Sequence, residues 1–149
     1  MAKTLRSLNR DVDKAIRGLE NMTEPIGDSL DHVEEDIERR IDRGVDIEGS
    51  KFKPLSAKYK KRKAKKFPGM PILKATRTML SGANIRRRIG KKTGKLTYGV
   101  GKGDYAGFHQ EGGGKLPRRA FGGVSDDAAN KVEKIFGDWT GDVLDKSFN

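Results

Sequence analysis

Leu5, Leu8, Val12, Ile16 and Leu19 recur at spacings of three and four, with Lys3, Arg6, Arg10, Asp13 and Arg17 largely off that line. One apolar stripe of this period predicts an amphipathic helix. Gly18 weakens its end. A second stripe follows in Ile26, Leu30, Val33, Ile37 and Ile41, with Glu34, Glu35, Asp36 and Glu38 on the other faces. Thr23 is expected as its N-cap, Pro25 near its first turn and Gly44 as its C′ stop. Arg39, Arg40 and Arg43 suit the negative end of its dipole. Two helices, or one long broken helix, therefore fill the first third of the chain.

Residues 44–76 lose this periodicity, and Pro54, Pro68 and Pro71 punctuate them. We expect a long extended loop with a short helix near 55–64. Loops of that length usually serve a partner. The period then changes to two. Ile85, Arg87 and Ile89 alternate with Arg86 and Arg88, and Leu96, Tyr98 and Val100 alternate with Thr97, Gly99 and Gly101. Lys91-Lys92-Thr93-Gly94-Lys95 between them has turn chemistry, so a β-hairpin with one buried face is predicted. Arg87 falls on the apolar side, where its stem would snorkel. A further short strand is expected at 116–121.

Ser125 reads as an N-cap, followed by Asp126 and Asp127 in the first turn of a closing helix. Its stripe is Ala128, Val132, Ile135, Trp139 and Val143, widened by Phe136, and Gly137 and Gly141 weaken it. The predicted fold is α+β: N-terminal helices, a small antiparallel sheet with a β-hairpin, and a C-terminal helix packed on the sheet. One domain is expected over 1–149, divided into a helical part (1–44), a basic loop (45–76), a β-rich part (77–124) and the C-terminal helix (125–147).

Composition changes this picture mainly through charge. Of 149 residues, 34% are hydrophobic and 36% charged, which suits a small core with polar extensions. From Gly49 to Gly103 lie 18 of the 32 Lys and Arg and none of the 21 Asp and Glu. An acidic chain interrupted by a basic middle must meet something negative. Nucleic acid is one candidate, and the acidic flanks of a neighbouring copy are another. The chain has no cysteine, which removes disulfides, thiol catalysis and Cys-based zinc sites. No apolar run approaches a membrane span, and the N-terminus lacks the apolar stretch of a signal peptide, so a soluble protein made in a cytoplasm is expected.

Candidate chemistry is sparse. His109 and Glu111 could transfer protons or ligate metal, but neither finds the further base, nucleophile or ligands that such work requires. The other histidine, His32, sits on the acidic second helix. A small hydrolase using His109 is thus the most distant reading. Gly112-Gly113-Gly114 could cradle a phosphate, yet Lys115-Leu116-Pro117 follows where a helix N-terminus is needed. Gly99-Val100-Gly101-Lys102-Gly103 lacks the Ser or Thr of a phosphate loop. Seven of the nine residues 58–66 are Lys or Arg, which suits sequence-blind, salt-sensitive contact with an anion.

The order of motifs resembles the tailed-phage virion morphogenesis family of tail-completion and head–tail joining proteins. Phe52-Lys53-Pro54-Leu55-Ser56, with Tyr59 and Lys63, resembles that family's aromatic-x-Pro-Leu-Ser…Tyr…Lys element. Ile72-Leu73 and Thr76…Met79 stand where it has an apolar and Thr-Gly segment. Val100-Gly101, Tyr105-Ala106, His109-Gln110 and Gly112-Gly113 follow in its order, and Arg119-Ala120-Phe121 and Ser125-Asp126-Asp127 close it. The chain departs in having Phe52 for a commoner tryptophan, Arg77 for glycine and Ala120 for proline. The resemblance covers about residues 45–130.

It implies a small α+β subunit that assembles into a ring at the tail end or the neck, with no catalysis and no cofactor. Phe52, Pro54, Leu55, Tyr59, Lys63, Arg118 and Arg119 are the expected subunit-interface residues. Arg86, Arg87 and Arg88 are the expected DNA-facing ones. The expected partners are copies of the chain itself, tail-tube or neck and connector proteins, and transiently DNA, with no membrane. Such a phage or prophage protein would be assembled in the host cytoplasm and reside in the virion. The rival is a sequence-nonspecific nucleic-acid-binding module using the basic 49–103 block.

Overall fold

A computed structural model describes residues 3–74, 78–101 and 105–149. They form α1 (Leu5–Leu19), α2 (Thr23–Arg43), α3 (Ala57–Lys66), a 3-10 turn (Gly82–Asn84), β1 (Ile85–Ile89), β2 (Gly94–Tyr98), α4 (Ala106–Glu111) and α5 (Asp126–Phe148). The fold is α+β, with N-terminal helices, a two-stranded antiparallel hairpin and a C-terminal helix. Expectations resting on Thr76, Arg77, Lys102 and Gly103 lie outside the described residues.

The core forms along the inner stripe of α2. Val33, Ile37 and Ile41 pack with Phe52, Met79, Ala106, Phe121 and Ala128. Tyr98 meets Phe121 edge to face at 5.8 Å, a favoured aromatic geometry. Gly44 ends α2 in the left-handed region (φ 68°), its N–H donating to the Arg40 and Ile41 carbonyls. The N-terminal end differs from expectation: Thr23 is the first helical residue and Met22 the cap. The Asn21 side-chain oxygen accepts from both the Thr23 N–H and hydroxyl, a local turn that uses the threonine first.

The hairpin pairs Ile85 with Tyr98, Arg87 with Leu96 and Ile89 with Gly94. It lies on α2, and Gly94 makes the close approach. A Cβ there would stand 2.5 Å from Ile26 Cγ2 and 3.2 Å from Leu30 Cδ1. Ser125 caps α5 as expected, its hydroxyl accepting from Ala128 N at 3.2 Å. Gly137 and Gly141 do not interrupt the helix; both face open space and cost it only propensity. α5 lies mainly along α1 and α2, and reaches the sheet through the shared core, where Ala128 and Val132 join Leu96 and Tyr98.

No strand spans 116–121 among the described residues. Its backbone groups are satisfied one at a time by different elements: Arg119 N–H by the His109 carbonyl (2.7 Å), and the Ala120 carbonyl by Ile47 N–H (3.0 Å). Only Gly113 and Leu116 form a bridge. Within the expected loop, Ser56 caps a ten-residue helix, α3.

α1 forms with the predicted stripe, which faces away from the core: Leu5, Leu8, Val12 and Ile16 are 75%, 42%, 39% and 52% exposed. The helix meets α5 on another face, where Ala15 is buried and a Cβ on Gly18 would lie 2.7 Å from Val143. Small residues there let the two backbones approach. Lys14 and Lys3 donate to the Lys146 and Phe148 carbonyls, placing cations at the negative end of α5.

Candidate functional site

α3 carries seven Lys and Arg and no acid. Like charges at i,i+4 oppose such a helix, so it depends on its cap and its packing. The Arg62 guanidinium stacks on the Tyr59 ring at 5.0 Å, a cation–π arrangement. Lys63 turns inward, is buried, and donates to the Met70 carbonyl. Burial pushes its amine below the usual lysine range.

Between α3 and the 105–119 segment lies a groove of about 1060 Å³. Leu55, Phe67, Ile72, Leu73 and Leu116 give it apolar walls, while Arg62 and Lys115 add positive charge. Leu73 holds a positive φ of 65°, a strained conformation for a non-glycine residue.

The structure brings Pro54, Leu55, Tyr59, Lys63 and Arg119 together on this groove. Arg119 is 3% exposed, and its Nε and Nη2 donate to the Lys53 and Pro54 carbonyls at 2.9 and 3.1 Å. Its guanidinium thus ties the two walls within one subunit. Phe52 belongs to the core. Both side chains are buried within the subunit, whereas Arg118 is exposed outside the groove lining.

His109 lies on α4 and lines the same groove. Its ring meets Tyr105 edge to face at 6.0 Å, and its buried Nδ1 has no hydrogen-bond partner among the described residues. Burial, reinforced by the Arg119 charge, holds its pKa below the usual value. Among the described residues, no group of three or more His, Cys, Asp or Glu is placed to hold a metal ion. The glycine run ends α4 rather than opening a helix: Gly112 is its C-cap with φ 75°. Its N–H groups therefore lack the phosphate-binding arrangement of a helix N-terminus.

The three arginines of β1 separate. Arg87 faces α2, pairing with Asp31 and donating to the Gly27 carbonyl at 2.7 Å. Arg86 and Arg88 are exposed on the opposite face, where Lys95 pairs with Arg88 across the hairpin. Of the three arginines of β1, Arg86 and Arg88 are therefore the ones that face away from α2.

Two features escaped the sequence reading. Asp36 accepts from Arg40 Nε at 2.9 Å, Ser125 Oγ at 2.8 Å and Arg39 at 3.2 Å. Arg40 in turn donates to the Phe121 and Gly123 carbonyls at 2.9 and 3.1 Å. This buried network fixes the segment leading from the groove wall into α5. Burial would raise the Asp36 carboxyl, but the bonds from Ser125, Arg40 and Arg39 outweigh it and hold the pKa low. Buried Lys74 likewise joins Glu38 and Asp42 at 2.9 and 2.6 Å. The i,i+4 spacing of Asp36 and Arg40 was legible; their partners 80 residues on were not.

These features define a small α+β protein whose surface carries a groove with apolar walls and basic charge, without an assembled catalytic constellation among its described residues. Residues 2–140 match the model of the phage virion morphogenesis family, and the chain belongs to that family. The match takes in α1 and most of α5 as well as the motif-bearing middle. No curated protein and no solved structure matches the chain. No helix among the described residues is long and apolar enough to cross a membrane.

Proposed function

We propose that the chain is a structural subunit of the virion tail or neck, acting in tail completion or head–tail joining as a closed ring of identical copies. Family membership supports the morphogenetic role. The division of charge within one subunit carries the ring reading. The outer face of α2 carries Glu24, Asp28, Asp31, Glu35, Glu38 and Asp42 at alternating spacings of four and three, all exposed; Asp31, Glu38 and Asp42 already pair with Arg87 and Lys74, and Glu24, Asp28 and Glu35 are the ones offered to a neighbour. α3 presents Lys58, Lys60, Lys61, Arg62, Lys65 and Lys66, all exposed. A basic helix on one copy and an acidic helix on the next make a head-to-tail contact, which closes into a ring when the rotation permits. Charge complementarity would set its register and rate. Tail-tube or connector proteins would then meet the ring, and exposed Arg86 and Arg88 would be available to DNA passing it.

The nucleic-acid reading keeps one specific observation, the exposed face of Arg86, Arg88 and Lys95. Light scattering across a salt series, without nucleic acid, separates the two. The ring reading expects one discrete oligomer at low salt that dissociates as salt screens the contact. A monomer at every salt concentration that binds DNA with a steep salt slope would overturn it in favour of the rival.

A further inference from the structure

We infer that the groove between α3 and the 105–119 segment is filled by α1 of a second copy. This rests on the assembly reading and deepens it, because it names the element that docks. Two large apolar features of the described residues are left uncovered. One is the α1 stripe, four aliphatic side chains between 39% and 75% exposed. The other is the groove, on which Leu116 is itself 45% exposed. Contiguous exposed apolar surface of this kind marks interaction sites. An amphipathic helix laid in an apolar groove is a recurrent way to cover both at once.

The dimensions agree. From Leu5 to Ile16 the stripe runs about 17 Å at 1.5 Å per residue, and the ten residues of α3 that wall the groove run about 15 Å. The charges nearest the stripe are acidic. At about 100° per residue, Glu20 lies about 75° and Asp13 about 95° from the stripe's centre on its open side, ahead of Arg6 at about 115° and of Arg17, Arg10 and Lys14 beyond it. Asp13 and Glu20 are exposed, and the groove they would meet carries Arg62 and Lys115.

The pairing joins two different patches of one chain, so it is head-to-tail and propagates from copy to copy. Three residues separate α1 from α2. The copy that donates α1 therefore also brings its own α2 towards the α3 of the copy that receives it.

The absence of cysteine makes a direct test simple. Val12→Cys and Leu116→Cys proteins, each with a single thiol, are mixed and oxidised. The inference expects an intermolecular disulfide between the two variants, and none when Ala129→Cys, exposed on α5, replaces Val12→Cys. Val12→Asp is the second variant. Its site is solvent-exposed in the subunit, so circular dichroism and urea unfolding should be unchanged. The concentration for half-assembly should rise by more than about tenfold, because a carboxylate would have to enter an apolar groove.

If wild-type protein is monomeric at every concentration, the assembly reading and this inference fail together. If it assembles, and Arg62→Glu dissociates it while Val12→Asp has no effect and the Val12–Leu116 disulfide does not form, only this inference fails. Disulfides confined to Val12–Val12 pairs would overturn it in favour of α1 self-pairing.

Discussion

Replacing Asp36 with alanine removes the counter-charge at the centre of the network that holds the 121–125 segment on α2. Its side chain is 7% exposed and that of Arg40 8%. Breaking one side of a buried ion pair costs about 3–5 kcal/mol, because the remaining charge stays buried. Arg40 would keep the Phe121 and Gly123 carbonyls, which places the loss near the lower end, at about 3 kcal/mol. For a domain of this length each kcal/mol shifts Tm by roughly 2–4 °C, so a fall of about 6–12 °C is expected.

Urea titration followed by far-UV circular dichroism reads this free energy directly. The pH dependence supplies a second check. The folded Asp36 pKa is held below its ordinary 3.8. The stability it contributes is complete above about 3.8 and is lost as pH falls through the folded value. The gap between wild type and Asp36→Ala should therefore be level from neutral pH down to about 4 and close below it. A cost below about 1 kcal/mol for Asp36→Ala, or a gap between the two proteins that stays level below about pH 4, would refute the assignment of a charge-dependent tie.

Three further outcomes follow from other parts of the fold. Gly94→Ala should lose about 1–3 kcal/mol by urea titration, because its methyl would press on Ile26 and Leu30, whereas Gly137→Ala should gain about 0.5–1 kcal/mol in open space. Arg87→Ala should cost about 1 kcal/mol through lost bonds to Asp31 and Gly27, with Arg86→Ala and Arg88→Ala within about 0.5 kcal/mol of wild type. Burial opposes the Lys74 charge, but Asp42 and Glu38 outweigh it and hold the amine above 10.5. Its contribution is complete below about 10.5 and is lost as pH rises through the folded value, so thermal melts of Lys74→Met should lack that part of the alkaline decline.

Local pattern alone determined much of this protein. The period-3.6 stripe of α2, the left-handed stop at Gly44, the Ser125 cap and the period-two hairpin each depend on neighbours a few residues away. Those positions read correctly because cap geometry and side-chain periodicity are short-range physics. The motifs also carried the family, and they named Pro54, Leu55, Tyr59 and Lys63, which meet on one groove. Thr23 was misplaced by a single competing side chain, Asn21.

The tertiary structure decided what those elements face. A stripe states that a surface is apolar, not what covers it, so α1 could be drawn as a helix but not oriented. Small residues at Ala15 and Gly18 admit α5, and the larger stripe turns outward. Arg119 and Arg87 looked like free cations until chain folding brought the Lys53 and Pro54 carbonyls to one and Asp31 to the other. The expected strand at 116–121 failed for the same reason: strand formation requires a partner ladder, and its backbone found isolated acceptors and donors on three elements instead. Long-range contact, which sequence period does not encode, set the direction of every face.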